Sequence, residues 1–318
     1  MRKKHFLFAS VLALLCGSSA LHAQDFKLTS SGYFKNQGVD IMAFDDIYPE
    51  GHQGGVCIIM NGHRVATNGD IRLEATPGQW QPVPKQLDRK LGDNSITATL
   101  CYPDSSRHLT GFNPMIYPDL HLIYTVNVES KGKNIEVTVD LDRPIPQEFI
   151  GKVGFNLEFF PGSLFGKPWI MDGQSGIFPQ QPNSPLMTTQ PNYLHTGNYH
   201  DGKKSLADMD KLIGKGYSPI VADDIISEPY AKGTKFTSRP DDPYNKVTIE
   251  SLSGDLQLFD GRMNHNNGWF VLRSNIKPGV TKGAVKWIIT PNVVADWMYQ
   301  PVIQTSQIGY HPTQDKEA

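Results

Sequence analysis

Leu122-Ile123-Tyr124-Thr125-Val126-Asn127-Val128-Glu129-Ser130-Lys131-Gly132-Lys133-Asn134-Ile135-Glu136-Val137-Thr138-Val139-Asp140-Leu141 decides the fold class. Leu122, Tyr124, Val126 and Val128 alternate with other residues, and Leu120 extends the same series. Ile135, Val137, Val139 and Leu141 alternate in the same way on the other side of the turn 130–134. Side chains along a strand point to opposite faces with a period of two, so the pair predicts a β-hairpin with one buried and one solvated face. The pattern continues outward. Ile96, Ala98 and Leu100 alternate with Thr97 and Thr99, and Val247-Ile249, Leu256-Leu258, Trp269-Val271 and Val285-Trp287-Ile289 follow downstream. No apolar series at helical spacing runs long enough for a confident helix; the best short stretch is 205–213, with Ser205 as N-cap and Gly214 as stop. A succession of strands separated by turns predicts an all-β chain, a large two-sheet sandwich of the supersandwich kind.

Composition agrees. Hydrophobic residues make up 39% and charged residues 19%, enough apolar surface for a packed core. The 29 Gly and 23 Pro suit a chain with many turns. A formal net charge of −2 argues against nucleic acid, which asks for a basic stripe. It gives no reason to expect an anionic membrane surface as partner.

Arg2, Lys3 and Lys4 precede an apolar run from Phe6 to Leu15, and Ala20-Leu21-His22-Ala23 follows. Basic, then apolar, then a small residue is the pattern of a secretory leader. Cleavage after Ala23 is expected, with Gln24 first in a secreted or periplasmic chain. Cys16 follows Leu15, which is bulky where a lipidation motif wants a small residue. Cys57 and Cys101 remain after cleavage. An oxidising compartment permits their pairing, and a buried free thiol is the other ordinary fate. No ligand spacing supports a Cys-based metal site.

Residues 161–205 depart from the strand pattern. Prolines and glycines interleave with Phe165, Trp169, Phe178, Tyr193, His195, Tyr199 and His200. A loop of that length in a compact domain is usually functional or disordered, and the aromatics argue against disorder. One reading is a sugar-stacking surface, since flat aromatic faces cover the apolar face of a pyranose. The other is that the aromatics pin the loop onto the sandwich. Trp80, Trp169, Tyr193 and Trp269 are the candidate carbohydrate-binding residues.

Catalytic signatures are missing from the sequence. Hydrolysis of a glycosidic bond by the usual route needs two carboxyl groups flanking it at a fixed separation. Asp45-Asp46, Asp223-Asp224 and Asp241-Asp242 are neighbours, and neighbours on a strand point to opposite faces. There is no Gly-x-Ser-x-Gly elbow, His-Glu-x-x-His motif or P-loop. His52 and His63 flank the strand at 56–60, close in sequence to Asp45, Asp46 and Glu50, but without metal-ligand spacing. The turn 260–268, with His265, lacks the alternating acids and closing Glu of a calcium loop. No catalytic residue, metal or cofactor is assigned.

The end of the chain carries a motif of its own. Val302 and Ile303 start an extended run, and Gln307-Ile308-Gly309-Tyr310-His311-Pro312 follows, with Lys316 and Ala318 beyond. This is similar to the opening of the cellulase N-terminal immunoglobulin-like domain, which in glycoside hydrolase family 9 precedes the catalytic barrel. Ser306 stands where that family usually has Asn. Residues 48–55, 77–84 and 268–271 resemble, less sharply, the β-rich region found ahead of that domain. With the leader at 1–23 and a boundary at Tyr299-Gln300-Pro301, the chain divides into a large sandwich at 24–299 and a segment 300–318, which the resemblance implies is the first strand of an incomplete immunoglobulin-like sandwich. It implies the non-catalytic front of a secreted polysaccharide hydrolase acting on β-glucan or cellulose. Its partners would be that polysaccharide and the downstream modules of the same chain. The family's Asp-Ala-Gly-Asp-like base motif is missing here, so no catalytic role carries over. A free-standing carbohydrate-binding module and a mutarotase-like sugar-active enzyme are the alternatives.

Overall fold

The structure is a computed structural model that describes residues 25–46, 54–74, 77, 84–103, 120–182, 228–263, 268–299 and 311–313. In these residues the chain forms two antiparallel nine-stranded sheets, the sandwich that the alternation predicts. The first sheet contains β1 (Lys27–Leu28), β2 (Phe34–Asn36), β3 (Val39–Ala43), β4 (Val56–Met60), β5 (His63–Leu73), β10 (Val153–Phe159), β13 (Ala231–Gly233), β16 (Leu256–Asp260) and β17 (Phe270–Asn275). Their spatial order is β1-β2-β3-β4-β5-β10-β17-β16-β13. The second sheet contains β6 (Lys85–Leu91), β7 (Ser95–Tyr102), β8 (Leu122–Lys131), β9 (Asn134–Leu141), β11 (Pro168–Met171), β12 (Gln174–Ile177), β14 (Lys235–Ser238), β15 (Val247–Ser251) and β18 (Val285–Pro291). Its order is β12-β11-β14-β15-β18-β9-β8-β7-β6.

The hairpin that set the fold class is β8–β9, in register from Tyr124↔Leu141 to Lys131↔Asn134. The strands run further than the sequence suggested, so the turn shrinks to Gly132-Lys133. Gly132 takes a φ of 68°, which a two-residue hairpin of the primed type requires at its first position. β7, β9, β15 and β18 alternate buried and half-buried residues along their length. One face of the second sheet is therefore core and the other is wet. β10 is buried at every residue, as is β17 up to Ser274, and β5 is buried from Val65 onward. That central trio has no wet face.

Aromatic rings fill the space between the sheets. Trp287 is fully buried, edge-to-face with Phe155 at 5.0 Å, and its Nε1 donates to Ser274 Oγ at 3.0 Å. Phe159 meets Phe236 at 5.7 Å, and Phe178 meets Phe270 at 4.7 Å. Cys57 and Cys101 lie in different sheets and form no disulfide.

Two sequence expectations change. The stretch 161–182 is not all loop: β11 and β12 form a hairpin at the edge of the second sheet. β5 and β10 are strands that the apolar pattern did not single out. The best short helical stretch, 205–213, and the start of an immunoglobulin-like module at 300–318 lie outside the described residues, apart from the turn at 311–313.

Trp287→Ala is expected to lower the unfolding free energy by about 3–5 kcal/mol in urea titration, the usual range for emptying a buried aromatic site. Trp287→Phe should lose much less. Equal losses for both would show that ring burial is not what holds the sheets together.

Candidate functional site

Two places in the described sandwich gather polar chemistry. The first lies on β5, β10 and β17. Asn156 on β10 stands opposite Asp70 on β5 and opposite Arg273 on β17. The β5–β10 register slips between Asn156 and Glu158, where Asn68 adopts a φ of 56° and Gly69 passes so close to Val56 that a Cβ would sit 2.6 Å from its side chain. Such a bulge re-aims side chains, and here it turns Asn68 Nδ2 onto Glu158 Oε2 at 2.6 Å.

Arg273 lies across this face and is 1% exposed. Its Nε donates to Asn275 Oδ1 at 2.7 Å. One terminal nitrogen donates to Glu74 Oε1 at 3.3 Å and Asn156 Oδ1 at 2.9 Å, and the other to the carbonyls of Glu74 and Lys152, both at 3.0 Å. All five guanidinium N–H groups are thus used. Asn156 Nδ2 donates to Glu74 Oε1 at 2.6 Å. Gly154 makes room for the guanidinium, since a Cβ there would lie 2.8 Å from Arg273 Nε and from the Ser274 carbonyl.

The neighbouring pair is Asp70 and Arg72, 3.5 Å apart. The β4–β5 pairing stops at Gly69, and beyond it Tyr102 and Tyr124 reach across from the second sheet. Tyr124 donates to Asp70 Oδ1 at 2.8 Å, and Tyr102 accepts from the Leu73 amide at 2.9 Å. Burial pushes the Asp70 carboxyl and both phenols above their ordinary values. Burial also pushes Glu74 up to about 7, with Arg273 opposing. Perturbed carboxyls are a mark of catalysis when they face a cleft, and of structure when they are tied into an ion-pair network of the fold. In this cluster Glu74 is held by Arg273 and Asn156, Asp70 by Arg72 and Tyr124, and Glu158 by Asn68. The arrangement is a buried ionic seam.

The second place lies where the chain leaves β18. The Asn292 amide donates to the Lys246 carbonyl at 2.9 Å, and Asn292 Nδ2 to the Pro243 carbonyl at 2.7 Å. Gln37 Nε2 donates to the Trp297 carbonyl, and Asn61 Nδ2 to the Tyr244 carbonyl. Gly38, at φ 65°, lies under the Trp297 ring, where a Cβ would come within 2.7 Å of Cε3. Tyr299 sits over Gly62, and its ring meets that of Trp297 at 6.1 Å and 74°. Between these groups is a recess of about 710 Å³ lined by Asn61, Gly62, His63, Tyr244, Asp296, Trp297, Met298 and Tyr299.

The residues singled out from sequence do not meet at either place. Trp169, on β11, is 6% exposed in the core, and its ring covers Gly176, where a Cβ would be 2.4 Å away. Trp269 is half-buried, edge-to-face with Phe160 at 4.4 Å. Trp80 and Tyr193 lie outside the described residues, as do Glu50, His52, Asp223, Asp224, His195 and His265. Asp46 pairs with Arg64, Asp45 lies 3.7 Å from Arg89, and Asp242 pairs with Arg239. In the turn after β16, Asp260 accepts from Arg262 Nε and a terminal nitrogen, both at 2.8 Å, so an arginine occupies the side of that carboxylate facing the turn. Among the described residues no group of three or more His, Cys, Asp or Glu is placed to hold a metal ion. Sequence reasoning missed Tyr244, Trp297 and Tyr299 as a set. The signal was Trp297-Met298-Tyr299 directly before the proposed boundary.

No protein family and no curated protein matches the chain by sequence. Among solved structures, the chain is similar to the Slr1438 protein of Synechocystis sp. PCC 6803, at 10% identity over 84% of this chain and 96% of that one, with a TM-score of 0.36. It is similar to a galactose mutarotase related enzyme from Lactobacillus acidophilus, at 9% identity over 81% and 96%, with a TM-score of 0.37. A third is HI1317, at 9% identity over 84% and 98%, with a TM-score of 0.32. The fold itself is a two-sheet antiparallel β-sandwich.

The raised carboxyl of Glu74 has a consequence for stability. Its folded-state value lies above the ordinary 4.5, so the protonated form favours the native state. That contribution is complete below 4.5 and is lost as pH rises through about 7. Glu74→Gln removes the titration. The stability of the wild type relative to Glu74→Gln, read by thermal unfolding, is expected to be greater at about pH 4 than at about pH 8, by up to about 3 kcal/mol. An equal difference at both would show that Glu74 does not titrate in this window.

Proposed function

We propose that this chain is the non-catalytic, exported accessory sandwich of a polysaccharide hydrolase of the glycoside hydrolase family 9 type, with a β-glucan or cellulose-like substrate. The basic-apolar leader pattern at 1–23 supports export, and the Gln307–Pro312 motif supports the family. The observation that carries the accessory role is the way residues 292–299 are held. The segment hydrogen-bonds to the turns around Gln37, Pro243 and Lys246, and lays Trp297 and Tyr299 on two glycines. A segment held at several points behaves as a stiff mount, whereas a Gly/Ser tether would let the next module wander. Fixing the orientation of a neighbouring catalytic module lowers the ordering cost of gripping a long substrate. The buried ionic seam suits the same role, because its carboxylates are tied to arginines, asparagines and a tyrosine of the fold. Glycoside hydrolysis needs two carboxyls that face the substrate.

The purified chain, incubated with barley β-glucan, carboxymethylcellulose and insoluble cellulose, is expected to release no reducing ends above a buffer blank. Clear release by this chain alone would overturn the accessory reading in favour of a sugar-active enzyme.

A further inference from the structure

We infer that the recess between the β14–β15 turn and the exit segment is a binding subsite for neutral, β-linked pyranoside chains; the choice of glycan rests on the reading above. The recess measures about 710 Å³, inside the ordinary range for small-ligand sites. Three aromatic rings line it: Tyr244 from the turn, and Trp297 and Tyr299 from the exit segment. Tyr244 is 49% and Tyr299 67% exposed, while Trp297 is half-buried. Exposed rings gathered at one recess are the exception on a soluble surface, where large apolar groups usually stand singly.

The rings are already in place. Trp297 rests on Gly38 and Tyr299 on Gly62, and Asn61 holds the Tyr244 backbone through its carbonyl. Their positions are set by the fold, so a ligand pays little to order them. The flat faces suit the C–H face of a pyranose, and the polar edges of Tyr and Trp suit its rim of hydroxyls. His63 and Asp296 add hydroxyl-bonding groups at the edge. Among the described residues no Lys or Arg lines the recess, and Asp296 carries a negative charge there, so uronates and sulfated glycans are disfavoured. This site differs from the aromatic candidates that the sequence suggested, since neither Trp169 nor Trp269 lines it.

The test is native-gel retardation of the full chain in barley β-glucan, hydroxyethylcellulose and polygalacturonate, with calorimetric titration of cellohexaose. Retardation by the two neutral glucans and not by polygalacturonate is expected. Tyr244→Ala and Trp297→Ala should each weaken cellohexaose binding by about tenfold or more, the scale of one lost aromatic platform. Tyr244→Ala keeps the backbone carbonyl that Asn61 bonds, so it remains readable even if Trp297→Ala loosens the exit segment. Trp269→Ala should bind as the wild type does. Absence of binding to either neutral glucan, or binding unchanged in Tyr244→Ala, would overturn the subsite and leave the accessory reading intact. Hydrolysis by the chain would overturn the accessory reading, while loss of binding in Tyr244→Ala would still support the subsite.

Discussion

The guanidinium of Arg273 is the constraint on which the rest of the sandwich depends. The central strands β5, β10 and β17 are buried on both faces, yet β5 and β10 carry Asn68, Asp70, Arg72, Asn156 and Glu158. A buried charge without partners is prohibitive, so each must find one inside the fold. Arg273 joins its own strand, through Asn275, to two other parts of the chain: Glu74 after β5, and Lys152 with Asn156 at β10. Only the planar fork of arginine reaches five acceptors in one plane; lysine has three donors on a single nitrogen. Gly154 is part of the same device, because any side chain there would occupy the space of the guanidinium. The seam therefore specifies which strands lie together.

With the seam committed to structure, the rim is where the proposed recognition lies. The turns between β2 and β3 and between β4 and β5 present Gly38 and Gly62, and the exit segment lays its aromatic rings on them. The same contacts that stiffen the departure of the chain create a recess with a fixed shape. The proposed mount and the proposed subsite would both follow from one packing event.

Much of the fold could be read from residues. Tyr124, Val126 and Val128 against Val137, Val139 and Leu141 announced the hairpin, and Val285-Trp287-Ile289 announced β18, because one-sided burial writes a period of two into the sequence. Two-sided burial does not. In β5 the run Thr67-Asn68-Gly69-Asp70 looks like a turn, and only the tertiary partners of Asp70 and Asn68 make it a strand. In β10, Phe155, Leu157 and Phe159 alternate with Asn156 and Glu158, polar residues for which the fold supplies Arg273 and Asn68 in place of solvent. Trp169 looked like a loop aromatic since Pro168 and Gly173 flank its strand, and it turned out to belong to the core. The recess was hidden for a different reason. Residues 61–63, Tyr244 and 296–299 come together only through the sheet order, and no local pattern encodes that juxtaposition.

A crystal structure of the chain soaked with cellohexaose tests the division between structural seam and recognising rim most directly. The account predicts pyranose rings stacked on Tyr244, Trp297 or Tyr299, with Arg273, Glu74 and Asn156 still bonded to one another. A sugar seated against Glu74, Glu158 or Arg273 on the face of β5, β10 and β17 would contradict it.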